Sequence, residues 1–75
     1  MYIRIRNLRE DKDLNQEFMA QLLNVAQATY SRYELGILDI PSISLIKLAE
    51  FHNTSIDYLL ELTDIKEPYK RKRKN

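Results

Sequence analysis

The residues best suited to recognition chemistry lie between Gln16 and Glu34, in the stretch QEFMAQLLNVAQATYSRYE. On a helix, Gln27 shares one side with Ala28, Ser31 and Arg32, which follow it at spacings of one, four and five, while Tyr30 and Tyr33 fall on the other side. A glutamine amide donates and accepts at once and pairs bidentately with adenine in the major groove, and a guanidinium forks onto guanine in the same way. The components of catalysis are missing. There is no cysteine, His52 is the single histidine, and no Gly-rich loop, Ser/His/Asp set or metal-ligand spacing occurs. Neither an enzyme nor a metal or other cofactor is expected. His52 is expected to be a packed or half-exposed side chain, because no acid or second histidine is arranged with it.

The elements that must carry these side chains are helices. Gly36 is the one glycine, Pro41 and Pro68 are the prolines, and no strand-like alternation stands out. The pattern predicts a first helix over 3–12, with Ile5 and Leu8 inward and Arg4, Glu10 and Asp11 outward. Asn15 is suited to cap a second helix that runs to Leu23, with Glu17 in its first turn and Met19, Ala20 and Leu23 facing in. Asn24, a residue that tolerates positive φ, stops it. A third helix is expected over 26–35, with Gly36 as its stop. Pro41 and Ser42 announce a fourth, to His52, with Leu45, Leu48 and Ala49 as its apolar stripe and Asn53 as its end. Ser55 is the expected cap of a fifth, whose apolar residues are Ile56, Leu59 and Leu60.

Two short helices joined by the tight turn at Asn24 and Val25 make a helix-turn-helix unit. Ala20 allows the two backbones to approach, and Val25 and Tyr30 fill the angle between them. The third helix is thereby propped outward with Gln27, Thr29, Ser31 and Arg32 available to a major groove.

At this point the chain resembles the phage-repressor/Cro-like (XRE) helix-turn-helix family. The matching stretches are IRNLRE, NQEFMAQLLNVAQATYSRYELG, IPSISLIKLAEF and NTSIDYLLELTD, in family order and spacing over about residues 3–64. The resemblance implies an all-α, compact five-helix bundle and a bacterial or phage transcription regulator that binds double-stranded DNA as a homodimer. By position it implies that Gln16 touches a phosphate and that Gln27 and Ala28 sit at the base-reading end of the third helix. Thr29 and Ser31 become phosphate or base contacts, and Arg32 lies further along the groove. Arg9 and Glu34 fall where the family often joins its first and third helices by a partly buried ion pair. Departures from the pattern are Asn24 in place of glycine, Ile37, Leu38 and Asp39 in a loop that is usually basic or polar, Phe18 at a polar position and His52 at an apolar one.

Charge is unevenly spread. Up to Asp64 there are six basic and ten acidic side chains, a balance of −4, whereas 65–75 holds six basic and one acidic, a balance of +5. Residues 1–64 are therefore expected to form the DNA-binding domain and 65–75 a basic, flexible tail. Its run from Lys70 to Lys74 is either a phosphate-binding arm or a solubilising end. The bacterial character of the resemblance argues against a nuclear-localisation reading. No apolar run suits a signal peptide or membrane span, so a cytoplasmic protein is expected. A chain of 75 residues holds one modest core, and control by a small molecule is not expected. Two other readings remain: an antitoxin with the same domain, and a protein-interaction module that has lost DNA binding, favoured by the acidic folded part and the apolar loop. Phe18, Leu35, Ile37 and Leu38 are candidates for an exposed partner surface. The expected dimer seam is the loop before Ser55 with Ile56, Leu59 and Leu62.

Overall fold

A computed structural model describes residues 2–70, and within them five helices follow one another without a strand. They are α1 (Ile3–Asp11), α2 (Gln16–Leu23), α3 (Gln27–Leu35), α4 (Ser42–Phe51) and α5 (Ile56–Leu59). The expected all-α, five-helix bundle is therefore the observed architecture, with helix ends within a residue or so of those read from the sequence. Of the basic run, residues 71–74 lie outside the described residues.

All five helices stop by the same device. Asp13, Asn24, Gly36, Asn53 and Glu61 each take a positive φ, between 53° and 75°. The N–H of the residue after each one reaches back five positions: Leu14 to Arg9, Val25 to Ala20, Ile37 to Arg32, Thr54 to Ala49 and Leu62 to Asp57. This 6→1 closure satisfies carbonyls that a helix end otherwise leaves bare. Asn24, at φ 57° and ψ 46°, thus makes the tight turn expected of it. Glu61 makes the same turn with a Cβ, which only glycine avoids without steric cost. At the other ends, Asn15 Oδ1 accepts from the N–H of Phe18 at 2.8 Å, and Ser55 Oγ from that of Tyr58 at 3.0 Å. Both are the caps that the sequence announces.

The core is continuous. Ile5 and Leu8 of α1, Met19, Ala20 and Leu23 of α2, Tyr30 and Tyr33 of α3, Ile40 in the connection before α4, Leu48 and Ala49 of α4, and Leu59 of α5 are all buried. Ala20, 2% exposed, fits the close approach of α2 to α3. Val25 and Leu45 pack partly buried against this core. Phe18, 42% exposed, lies with its ring 5.8 Å from that of Phe51.

Two expectations change. Arg4 does not simply face out. Its Nη1 donates to the carbonyls of Tyr58 (3.0 Å) and Thr63 (2.6 Å), its Nη2 meets Asp64 at 3.2 Å, and its guanidinium lies 4.1 Å from the centre of the Tyr58 ring. A planar five-donor group can serve several carbonyls and a ring face together, and here it ties α1 to the segment after α5. Leu59 is fully buried in its own protomer, so it cannot join a dimer seam. The chain after α5 also returns to the bundle: the Thr54 hydroxyl donates to the Lys66 carbonyl, and the Tyr69 hydroxyl donates to Asp57 at 2.7 Å.

His52 is packed, with 3% exposure. Lys12 Nζ lies 3.2 Å from His52 Nδ1 and can only donate, which leaves the ring proton on Nε2. That Nε2 is buried without a hydrogen-bond partner among the described residues. Burial, with Lys12 and Lys66 nearby, pushes the imidazole down to about 4. A base depressed in the folded state contributes stability above its unfolded value of 6.5 that is lost as pH falls toward 4. Between pH 7 and pH 4.5, His52→Leu should therefore lose about 2 kcal/mol less stability than the wild type. It should also melt no lower than wild type at pH 7, since it removes an orphaned donor. Equal acid sensitivity of the two proteins in thermal melts would refute this account.

Candidate DNA-recognition surface

The surface is built on α2 and α3, and the angle between them is held from below. Glu34, in the last turn of α3, is 2% exposed. Arg9 of α1 meets it with two bonds, Nε to Oε2 at 2.7 Å and Nη2 to Oε1 at 3.2 Å. The remaining Arg9 nitrogen, Nη1, donates to the Leu14 carbonyl at 2.8 Å in the α1–α2 connection. The Tyr30 hydroxyl, one turn earlier on α3, donates to Glu34 Oε2 at 2.5 Å. Gln16 Nε2, at the start of α2, donates to Oε1 at 3.3 Å. The ion pair implied by the family resemblance is thus present, and it is the centre of a network across three helices.

Ionisation follows from this arrangement. Burial opposes the charge on Glu34, but the bonds from Arg9, Tyr30 and Gln16 together outweigh it and hold the carboxyl below its ordinary value. The bond to Glu34 raises Arg9. Burial and the bond to Glu34 push the Tyr30 phenol well above its usual range. Tyr30 therefore stays protonated and can donate.

The residues expected to contact DNA are distributed as follows. Gln27 and Ala28 are exposed in the first turn of α3, Thr29 and Ser31 are half-buried, and Arg32 is exposed. Tyr30 and Tyr33 are core residues, on the side of α3 away from this surface. Gln16 is half-buried and turned inward by its bond to Glu34. Its replacement therefore disturbs the network as well as the surface. After α3, Ile37 is 67% exposed and Leu38 39%. Sequence reasoning missed Tyr30 and Gln16 as partners of Glu34. The i, i+4 spacing of Tyr30 and Glu34 carried a signal for the first; Gln16 carried none, because its contact depends on the α2–α3 crossing. Among the described residues no group of three or more His, Cys, Asp or Glu is placed to hold a metal, and no helix is long and apolar enough to cross a membrane.

A helix-turn-helix family model matches residues 5–59. The chain belongs to this family, of the XRE type. It is similar to an uncharacterized HTH-type transcriptional regulator, YobD, of Bacillus subtilis, with 38% identity over 72 residues, which are 96% of this chain and 63% of that protein. It is also similar to the cryptic phage CTXphi transcriptional repressor RstR of Vibrio cholerae, with 38% identity over 71 residues, which are 92% of this chain and 64% of that protein. A third relative, the B. subtilis HTH-type transcriptional regulator YqaE, is 33% identical over 57 residues, covering 76% of this chain and 49% of that protein. The chain thus spans less than two thirds of each relative's length. No solved structure matches it.

Removing one side of a desolvated ion pair leaves the other charge stranded. Arg9→Ala or Glu34→Ala should each cost about 3 kcal/mol of folding stability, read by urea denaturation at pH 7. Since the Glu34 carboxyl is depressed, its contribution is full above 4.5 and fades as pH falls through the folded value. Single variants as stable as wild type would mean that the pair is solvated rather than structural.

Proposed function

We propose that the chain is a sequence-specific, double-stranded DNA-binding transcriptional regulator, acting as a repressor, that reads the major groove with α3. The observation that carries this reading is the exposed arc of α3, with Gln27 and Ala28 at its N-terminal end and Arg32 further along, on a helix anchored from beneath by Tyr30, Tyr33 and Glu34. The N-terminal end of a recognition helix is the part that approaches base edges. Gln27 suits adenine there, and Arg32 suits guanine or a phosphate. Gln16, Thr29 and Ser31 supply polar groups to the backbone, and such contacts set position without reading sequence. The similarity to a phage repressor and to HTH-type regulators supports the same class.

The regulator acts as a homodimer. With Leu59 committed to the core, Ile56 and the 73%-exposed Leu62 are what remains of the seam at α5. A two-fold dimer requires half-sites about 10–10.5 base pairs apart, centre to centre. Sedimentation with and without the selected duplex should show a dimer on DNA, and a monomer in both conditions would remove this part of the reading.

A second reading, a protein-interaction module without DNA binding, draws on the exposed Ile37 and Leu38 beside α3. Selection from a random duplex library separates the two. The regulator returns one defined, palindromic motif and the interaction module returns none. Gln27→Ala should weaken the selected site by about 1–3 kcal/mol and relax the preference at one base pair. Identical motifs from wild type and Gln27→Ala would take base reading away from this residue.

A further inference from the structure

Gln16 is half-buried between a carboxylate on its inner side and solvent on its outer side. An amide nitrogen carries two hydrogens in one plane. When one is committed to Glu34 Oε1, the direction of the other is fixed as well. Gln16 also lines a concavity of about 130 Å³ with Arg6, Arg9, Ser31, Glu34 and Leu35. Three of these, Arg6, Gln16 and Ser31, come from three different helices and carry donors; Arg6 Nε is taken by Glu10 Oε2 at 3.2 Å in an exposed pair, so its contribution is through its two terminal nitrogens. The carboxylate at this place would repel an anion if it stood alone, but its two bonds from Arg9 neutralise it locally.

We infer that Glu34 is a positioning residue for DNA: its carboxylate orients the Gln16 amide so that the second N–H faces the concavity, where one backbone phosphate of the duplex sits beside Ser31 and Arg6. The inference rests on the reading of Gln16 as a phosphate contact and adds what aims it. A side chain already held in its bound geometry loses less freedom on binding than one recruited from solvent. The ion pair under α3 then serves the interface as well as the fold, and the outer donor of α2 is set by the same group that anchors α3.

The test is a double-mutant cycle on the full chain, binding the selected duplex and an unrelated duplex of equal length. In the wild-type background, Gln16→Ala should weaken both duplexes about tenfold, the size of one hydrogen bond to a charged group. Glu34→Asp keeps the charge that Arg9 needs but withdraws the carboxylate by one methylene. In that background Gln16→Ala should cost about threefold or less, because the aim is already lost. Gln27→Ala should cost the same factor on the selected duplex in both backgrounds, which a merely structural effect of Glu34→Asp would not preserve. Equal Gln16→Ala losses in the two backgrounds overturn the inference and leave Gln16 as a phosphate contact. No loss in the wild-type background overturns both. A readout that needs no variant is the Gln16 side-chain amide resonance of the free wild-type protein, which should shift as Glu34 takes up its proton in acid. An amide that stays unresponsive while the folded protein is titrated below the ordinary carboxylate range, until Glu34 itself is protonated, also overturns the inference.

Discussion

A carboxylate with 2% exposure must find its counter-charge and its hydrogen bonds inside the protein, and Glu34 finds four bonds on three helices. Arg9 brings the charge from α1, Gln16 an amide from α2 and Tyr30 a hydroxyl from its own helix. Removing water from such a group is costly, and the cost is offset only while all the donors stay in place. The demand for complete satisfaction limits the angles at which α1, α2 and α3 can meet. Apolar packing around Tyr30, Met19 and Leu23 supplies most of the driving force but little direction, because the hydrophobic effect is roughly proportional to area and indifferent to orientation. The polar network supplies the direction.

The helix ends serve the same purpose by a different route. Five reversals built on a single positive-φ residue leave few degrees of freedom in the connections. The turn at Asn24 is so tight that α3 begins within four residues of the end of α2. A small residue at Ala20 lets the helices close on each other there, and the outer arc of α3 is left uncovered. Arg4 adds a restraint of its own, tying the first helix to the chain that follows the last one.

Much of this was legible in the sequence because local chemistry decided it. Asn15, Ser55, Asn24 and Gly36 mark helix ends through bonds to their own neighbourhood, and the stripes of α2 and α4 follow from a period of 3.6. What was not legible depended on contacts between residues distant in the chain. Arg4 looked like an outward charge because the carbonyls that it binds lie more than fifty positions away. Leu59 looked available to a partner because a short helix does not reveal which of its apolar sides its own core will take. Gln16 was placed at the recognition surface by its position in the family pattern, and its inward bond to Glu34 appears only once α2 and α3 are set against each other. His52 departed from an apolar pattern, and its burial with an unmatched nitrogen is the consequence.

The network at Glu34 fixes how α2 and α3 meet, and with it the shape of the candidate recognition surface. Buried ionic networks can often be replaced by apolar residues of similar volume without loss of stability. The direct measurement is therefore the duplex affinity of the triple variant Arg9→Met, Tyr30→Phe, Glu34→Met, made on protein shown by its melt to be folded. The expected result is a folded bundle whose affinity for its selected site falls at least about tenfold, a loss of roughly 1.4 kcal/mol. A folded variant that binds the same duplex with wild-type affinity would contradict it.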